Sequence, residues 1–131
     1  MRIIPPNLGV AIIDDERAVR TTLTRLLRSF GMNAEAYASG AEFLTCLQAG
    51  NWQVVLLDTR LRELTGFEVL RRIRQERPEL AVIMITGDER PDLRRRALEA
   101  GAQAFLLKPF PLAELLDVVR ALPDDSTLER P

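Results

Sequence analysis

Four apolar runs in this 131-residue chain close on residues that can do chemistry. Residues 10–13 run into Asp14-Asp15, Val54-Val55-Leu56-Leu57 into Asp58, residues 81–85 into Thr86-Gly87, and residues 104–107 into Lys108-Pro109. Brought together, these are three carboxylates, a hydroxyl and an ammonium. Clustered carboxylates repel and raise one another's pKa. A hard divalent cation resolves that repulsion, and Mg²⁺ is commonly held by one or two carboxylates with phosphate oxygens and water. Lys108 is too small a counterweight for three acids, but it suits a phosphoryl oxygen as a point charge. Thr86 can donate a further hydrogen bond, and Gly87 leaves a backbone N–H accessible. The set suits phosphoryl transfer in which one carboxylate is the nucleophile.

Convergence depends on the intervening elements. After Asp14-Asp15-Glu16, residues Val19, Leu23, Leu26, Leu27 and Phe30 fall on one face of a 3.6-residue period, and Gly31 stops that helix. Asn33–Tyr37 reads as a weak strand, being alanine-rich. Ser39-Gly40-Ala41-Glu42 matches a capping box and opens a short helix with Phe43, Leu44 and Leu47 that ends near Gly50. The central strand spans residues 53–57 and is followed by a loop over residues 59–66. Thr65-Gly66-Phe67-Glu68 repeats the capping box and opens a third helix carrying Phe67, Leu70 and Ile73, which Pro78 closes. Pro91 suits the first turn of a fourth helix, stopped by Gly101. A fifth helix carries Leu112, Leu115, Leu116, Val119 and Leu122, and Pro123 ends it. Strand and helix thus alternate five times. That predicts an α/β fold, a doubly wound parallel sheet with helices on both faces, and it puts all the strand ends named above on one rim.

Composition narrows the partners. Lys and Arg number 18 against 19 Asp and Glu, so no basic excess favours nucleic-acid binding by the domain as a whole. There is no His, which removes the commonest transition-metal ligand. The single Cys46, among apolar residues in a helical pattern, reads as a buried small hydrophobe in preference to a reactive thiol. No signal peptide or bilayer-spanning run is visible, which predicts a soluble protein of a reducing compartment. Each site residue also has a plainer role available. Asp14-Asp15 suit a helix N-terminus, Asp58 a turn, Thr86 the end of any strand, Phe105 the core and Lys108 a solvated surface. The Arg94-Arg95-Arg96 run reads as a solvated helix face in preference to a docking patch.

Over residues 8–122 the chain resembles the receiver domain of bacterial two-component response regulators. The matching pieces are Ile12-Ile13-Asp14-Asp15-Glu16, Leu56-Leu57-Asp58 followed by Gly66, Ile85-Thr86-Gly87, and Phe105-Leu106-Leu107-Lys108-Pro109-Phe110. Each is weak alone; together, in this order, they are specific. The wording around Arg60, Thr86-Gly87 and Lys108-Pro109-Phe110 is similar to the FixJ-type subgroup. The resemblance implies a flavodoxin-like receiver fold of strand order 2-1-3-4-5. It implies that Asp58 accepts a phosphoryl group from the phosphohistidine of a sensor histidine kinase. Asp15, Asp58 and the backbone carbonyl of Arg60 would ligate Mg²⁺, with Asp14 acting mainly through metal-bound water. Lys108, Thr86 and the backbone at Arg60 and Gly87 would hold phosphoryl oxygens, and Phe105 would be an aromatic switch that follows Thr86. A cis Lys108–Pro109 bond would place Lys108 toward the metal.

The protein so implied is a cytoplasmic phosphoacceptor, not a turnover enzyme, that assists its own phosphorylation and dephosphorylation. Phosphorylation would alter the surface of its fourth helix, fifth strand and fifth helix, with homodimerisation on phosphorylation open. Neither nucleic acid nor membrane would be bound by this domain itself, which would occupy residues 1–123 before a tail or linker start at 124–131. It would suit the N-terminal part of a DNA-binding regulator. Departures from the family pattern concentrate in one loop. The family usually carries Met-Pro where this chain has Leu61-Arg62, and losing the proline frees a φ beside the phosphoacceptor. Arg60 is positioned to pair with Asp14, Glu63 or the phosphoryl group, and Arg60 and Asp88 hold positions that influence phosphoaspartate hydrolysis in the family. Two rival readings follow. A haloacid-dehalogenase-like phosphatase would carry a second acid two residues after Asp58, where this chain has Arg60. A phosphorylation-independent interaction module is disfavoured by the intact acids, Thr86 and Lys108, while Arg62 leaves it open.

Overall fold

A computed structural model describes residues 4–122. The tail expected at residues 124–131 and the expected stop at Pro123 lie outside them. Five strands, β1 (Gly9–Ile13), β2 (Asn33–Tyr37), β3 (Val54–Asp58), β4 (Ala81–Thr86) and β5 (Ala104–Leu107), alternate with five helices. The helices are α1 (Arg17–Ser29), α2 (Gly40–Cys46), α3 (Gly66–Glu76), α4 (Asp92–Glu99) and α5 (Leu112–Ala121). All pairings are parallel, in the order β2-β1-β3-β4-β5, so the expected doubly wound sheet is the observed one. The strand read over residues 53–57 is shifted by one, and Asp58 itself pairs with Ile85 as the last residue of β3.

The sheet separates two apolar layers. Ile13, Val55, Leu57, Val82 and Met84 point to one side, where Phe43 and Leu47, then Val69, Leu70 and Ile73, then Leu93 and Ala97 pack against them from α2, α3 and α4. Val10, Ile12, Val54, Leu56, Ile83 and Ile85 point to the other, under Leu23 and Leu27 of α1 and Leu115, Leu116 and Val119 of α5. Every residue of β1 and β3 is buried, as runs without polar alternation require when helices cover both faces.

Helix ends follow their sequence signals. At Thr65 the capping box is complete: the Thr65 hydroxyl accepts from the Glu68 N–H (3.2 Å) and the Glu68 carboxylate accepts from the Thr65 N–H (3.0 Å). At Ser39 only half forms, with the Ser39 hydroxyl accepting from the Glu42 N–H (3.1 Å). Thr65→Ala is therefore expected to cost about 1 kcal/mol in urea unfolding. α1 and α4 both close on a glycine at positive φ, Gly31 (85°) and Gly101 (106°). In each, paired 6→1 and 5→2 hydrogen bonds complete the turn, Met32 N–H to Leu27 and Gly31 N–H to Arg28, then Ala102 N–H to Ala97 and Gly101 N–H to Leu98.

Three expectations need correction. Phe30 was assigned to the apolar face of α1 but is exposed. The helix ends at Ser29, and the turn through Gly31 delivers Met32 against Leu27 in its place. Helix α2 stops at Cys46 instead of reaching Gly50, and Gly50 instead lies against the Trp52 ring. Cys46 is only half-buried, at the margin of the α2–α4 layer, because it occupies the last residue of that helix.

Candidate functional site

The carboxyl ends of β1, β3, β4 and β5 meet at one rim. Asp14 follows β1 and is fully buried, Asp58 ends β3 at 5% exposure, and Thr86 ends β4 fully buried. Lys108 follows β5 and reaches across, its ammonium 2.7 Å from Asp14 Oδ2, 3.1 Å from Asp58 Oδ2 and 3.8 Å from Glu16 Oε1. The Lys108–Pro109 peptide bond is cis. One carboxylate oxygen from each of Asp14, Asp15 and Asp58 lies within 4.8 Å of the others.

The electrostatics of the rim are those of too much buried negative charge. Burial pushes the Asp58 carboxyl up to about 6; the Arg60 N–H lowers it, the Asp14 charge raises it further, and Lys108 opposes the rise. Burial disfavours the charged form of Lys108, but hydrogen bonds and charge from Asp14 and Asp58 outweigh it and hold its pKa above the usual lysine range. An all-oxygen, acid-rich donor set of this kind fits Mg²⁺: hard ligands, several of them, in excess of the cation already present. Both Asp14 oxygens are already engaged, Oδ1 by the Glu16 N–H (2.9 Å) and Oδ2 by Lys108. Asp58 Oδ1 accepts from the Arg60 N–H at 2.9 Å.

Two loops complete the rim. The β3–α3 loop is pinned where the Gly66 N–H donates to the Thr59 carbonyl (3.0 Å), and a Cβ on Gly66 would sit 2.2 Å from the Asp58 carbonyl oxygen. In the β4–α4 loop the Thr86 hydroxyl accepts from the Asp88 N–H (3.0 Å). Of the partners open to Arg60 in the sequence, Asp14, Glu63 or a phosphoryl group, it meets neither Asp14 nor Glu63. Its guanidinium instead bridges the two loops to Asp88 Oδ2 (2.9 Å), which Arg90 also binds (2.9 Å). The hydrogen bonds from the Arg90 N–H and Arg60 hold the Asp88 carboxyl below the usual range. Gly87 is exposed and a Cβ there would meet open space, so this glycine is not required for fit. Gly87→Ala should leave unfolding free energy within about 0.5 kcal/mol of the parent.

Phe105 is buried at 7% exposure, with the Arg94 guanidinium 5.7 Å above its ring and Arg94 Nη2 3.3 Å from its carbonyl oxygen. Two supporting contacts were not anticipated from the sequence. Arg20 of α1 turns back to donate to the Asp14 carbonyl (2.8 Å), and Arg62 reaches Asp15 (3.8 Å). The first folds a long side chain back along the helix start and the second crosses from the β3–α3 loop to the end of β1, and neither has a spacing signal.

A parallel 2-1-3-4-5 sheet presenting this acid pocket, Thr86 and Lys108 at its carboxyl edge defines a class of signalling domain, and the chain belongs to the response regulator receiver domain family, whose pattern matches residues 10–120. Among its relatives, the response regulator MprA of Mycolicibacterium vanbaalenii is 36% identical over 125 residues, covering 92% of this chain and 54% of its own length. The chain thus spans about half the length of the curated relatives it matches. Of solved structures, the BeF3-activated DrrB receiver domain superposes with TM-score 0.78 at 29% identity, covering 94% of this chain and 98% of that one. TrrA of Thermotoga maritima, in complex with Mg²⁺-BeF, gives 0.76 at 28%, covering 86% and 96%. Among the described residues, no helix is long and apolar enough to cross a membrane.

Proposed function

We propose that this receiver domain is a phosphorylation-driven switch whose acceptor is Asp58. The observation that carries the reading is Lys108 spanning Asp14 and Asp58, which joins the ends of β1, β3 and β5 in one pocket. An Asp58 carboxylate oxygen forms a bond to phosphorus as the P–N bond of a sensor kinase's phosphohistidine breaks, and the bonding pair returns to the imidazole nitrogen. Asp15, Asp58 and the Arg60 carbonyl would hold Mg²⁺, which supplies charge neutralisation at the phosphoryl oxygens. Asp14 orients Lys108 and serves the metal indirectly, in keeping with its two occupied oxygens. Lys108, Thr86 and the backbone at Arg60 and Gly87 receive the phosphoryl oxygens. The domain acts as a cytoplasmic phosphoacceptor that assists its own phosphorylation and dephosphorylation, not as a turnover catalyst.

The phosphoryl group adds about −1.5 to −2 charge. For the Thr86 hydroxyl to donate to it, the hydroxyl must turn toward Asp58, and the Asp88 loop it anchors follows. Phe105, buried on β5, would follow Thr86, and a change in its rotamer population would carry the signal outward. The readout is the surface of α4, β5 and α5, available to a homodimer partner. DrrB, an OmpR/PhoB homologue by its own description, and the half-length match to MprA support a receiver that forms part of a longer regulator, read here as the N-terminal part of a DNA-binding one. The FixJ-type affinity rests on the residues around Arg60, Thr86 and Lys108 alone.

BeF3 binding with Mg²⁺ tests the acceptor. The parent should bind and Asp58→Asn should not; equal binding by both would sink the assignment.

A further inference from the structure

We infer that Arg62 is a built-in competitor for the divalent cation, setting how tightly this receiver takes Mg²⁺; the inference rests on the Mg²⁺ reading of the acid pocket. Arg62 Nε lies 3.8 Å from Asp15 Oδ2, and it is the sole counter-ion of Asp15 among the described residues. The other cations near the rim are committed elsewhere. Lys108 is held by Asp14 and Asp58, while Arg60 and Arg90 converge on Asp88. Asp15 is the most open of the three pocket acids, with its side chain 27% exposed, whereas Asp14 and Asp58 are buried. It is therefore the carboxylate through which an incoming ion would first enter, and it is the one that Arg62 attends.

A cation at Asp15 meets Arg62 in two ways. The guanidinium must give up its ion pair, which is worth little at 85% side-chain exposure. It also repels a doubly charged ion from a few ångströms away, through water and salt that attenuate the interaction. Together these predict a several-fold weakening of metal binding, not its loss. Because Arg62 is exposed and packs against nothing buried, it can be replaced without unfolding the domain.

The test is Mg²⁺ titration calorimetry on the whole chain at about 50 mM and about 300 mM KCl. Arg62→Gln should bind Mg²⁺ about fivefold more tightly at the lower salt, with the gap narrowing at the higher salt, and Arg62→Lys should stay close to the parent. Arg72→Gln removes the same charge from the outer face of α3, where Arg72 pairs with Glu76, and should also match the parent. An Arg62→Gln affinity no tighter than the parent's overturns the proposal, as does equal tightening by Arg72→Gln. A parent chain that binds no Mg²⁺ overturns the metal reading along with it, whereas a parent that binds as well as Arg62→Gln overturns only the role of Arg62.

Discussion

Asp58→Asn is expected to remove phosphoryl acceptance, by more than about 100-fold, and at the same time to make the metal-free domain more stable at neutral pH. The first effect follows from losing the nucleophilic oxygen. The second follows from where that oxygen sits. A carboxyl whose folded pKa is raised to about 6 from a reference of 3.8 prefers its proton in the native state. The stability this confers is complete below pH 3.8 and is lost as pH rises through about 6, a loss of about 2 kcal/mol once solvent screening at the rim is counted. Asparagine cannot ionise, and its carboxamide oxygen can still accept from the Arg60 N–H, while Lys108 keeps Asp14 as partner. Urea unfolding in EDTA should give nearly equal stabilities for the two proteins near pH 4. At pH 7.5 the variant should lead by up to that amount. A variant less stable than the parent at pH 7.5 would refute the account of the pocket as overcharged.

The second large effect is expected at Gly66. This residue opens α3 with its Cα against the backbone that carries the acceptor, and an added Cβ would lie 2.2 Å from the Asp58 oxygen, 2.8 Å from Thr59 Cα and 3.0 Å from the Asp58 carbonyl carbon. All three are main-chain atoms at the end of a fully buried strand, so no side chain can move aside. Gly66→Ala should cost about 3 kcal/mol or more and push the β3–α3 loop off β3. Thermal unfolding would report the loss. Metal binding by whatever remains folded should weaken too, because the Arg60 carbonyl lies on the displaced loop and Asp58 at its root. Gly87→Ala, on the opposite loop, is the matched control because its Cβ meets nothing.

The elements were legible because each carries its own local signal. Unbroken apolar runs give buried strands, apolar residues at helical spacing give one-sided helices, and Gly31 and Gly101 stop α1 and α4 where left-handed φ is needed. The site was legible for a topological reason: once the strands are parallel, Asp14, Asp58, Thr86 and Lys108 must share an edge. What escaped were contacts made by long side chains and close approaches of backbone. Arg60 was read as a partner for Asp14, Glu63 or a phosphoryl group, yet it pairs with Asp88, a carboxylate on another loop that it shares with Arg90. Arg20 turned back to the Asp14 carbonyl and Arg62 crossed between loops to Asp15, contacts that spacing does not encode. Gly66 looked like part of a capping box, and its tighter role against Asp58 depends on how far β3 extends. Phe30 satisfied the helical period, but the turn that ends α1 comes one residue before it.

The placement of β5 bears on how such a domain can diversify. It is a four-residue strand at the sheet margin, bonded to β4 alone, whereas β3, which carries Asp58, is gripped on both sides. Substitutions along the outer face of β5, at Leu107 for instance, touch only one ladder and leave the acid pocket's scaffold in place. On the proposed phosphoacceptor reading, a lineage can thus rewire which protein listens to the domain while the chemistry at Asp58 stays fixed.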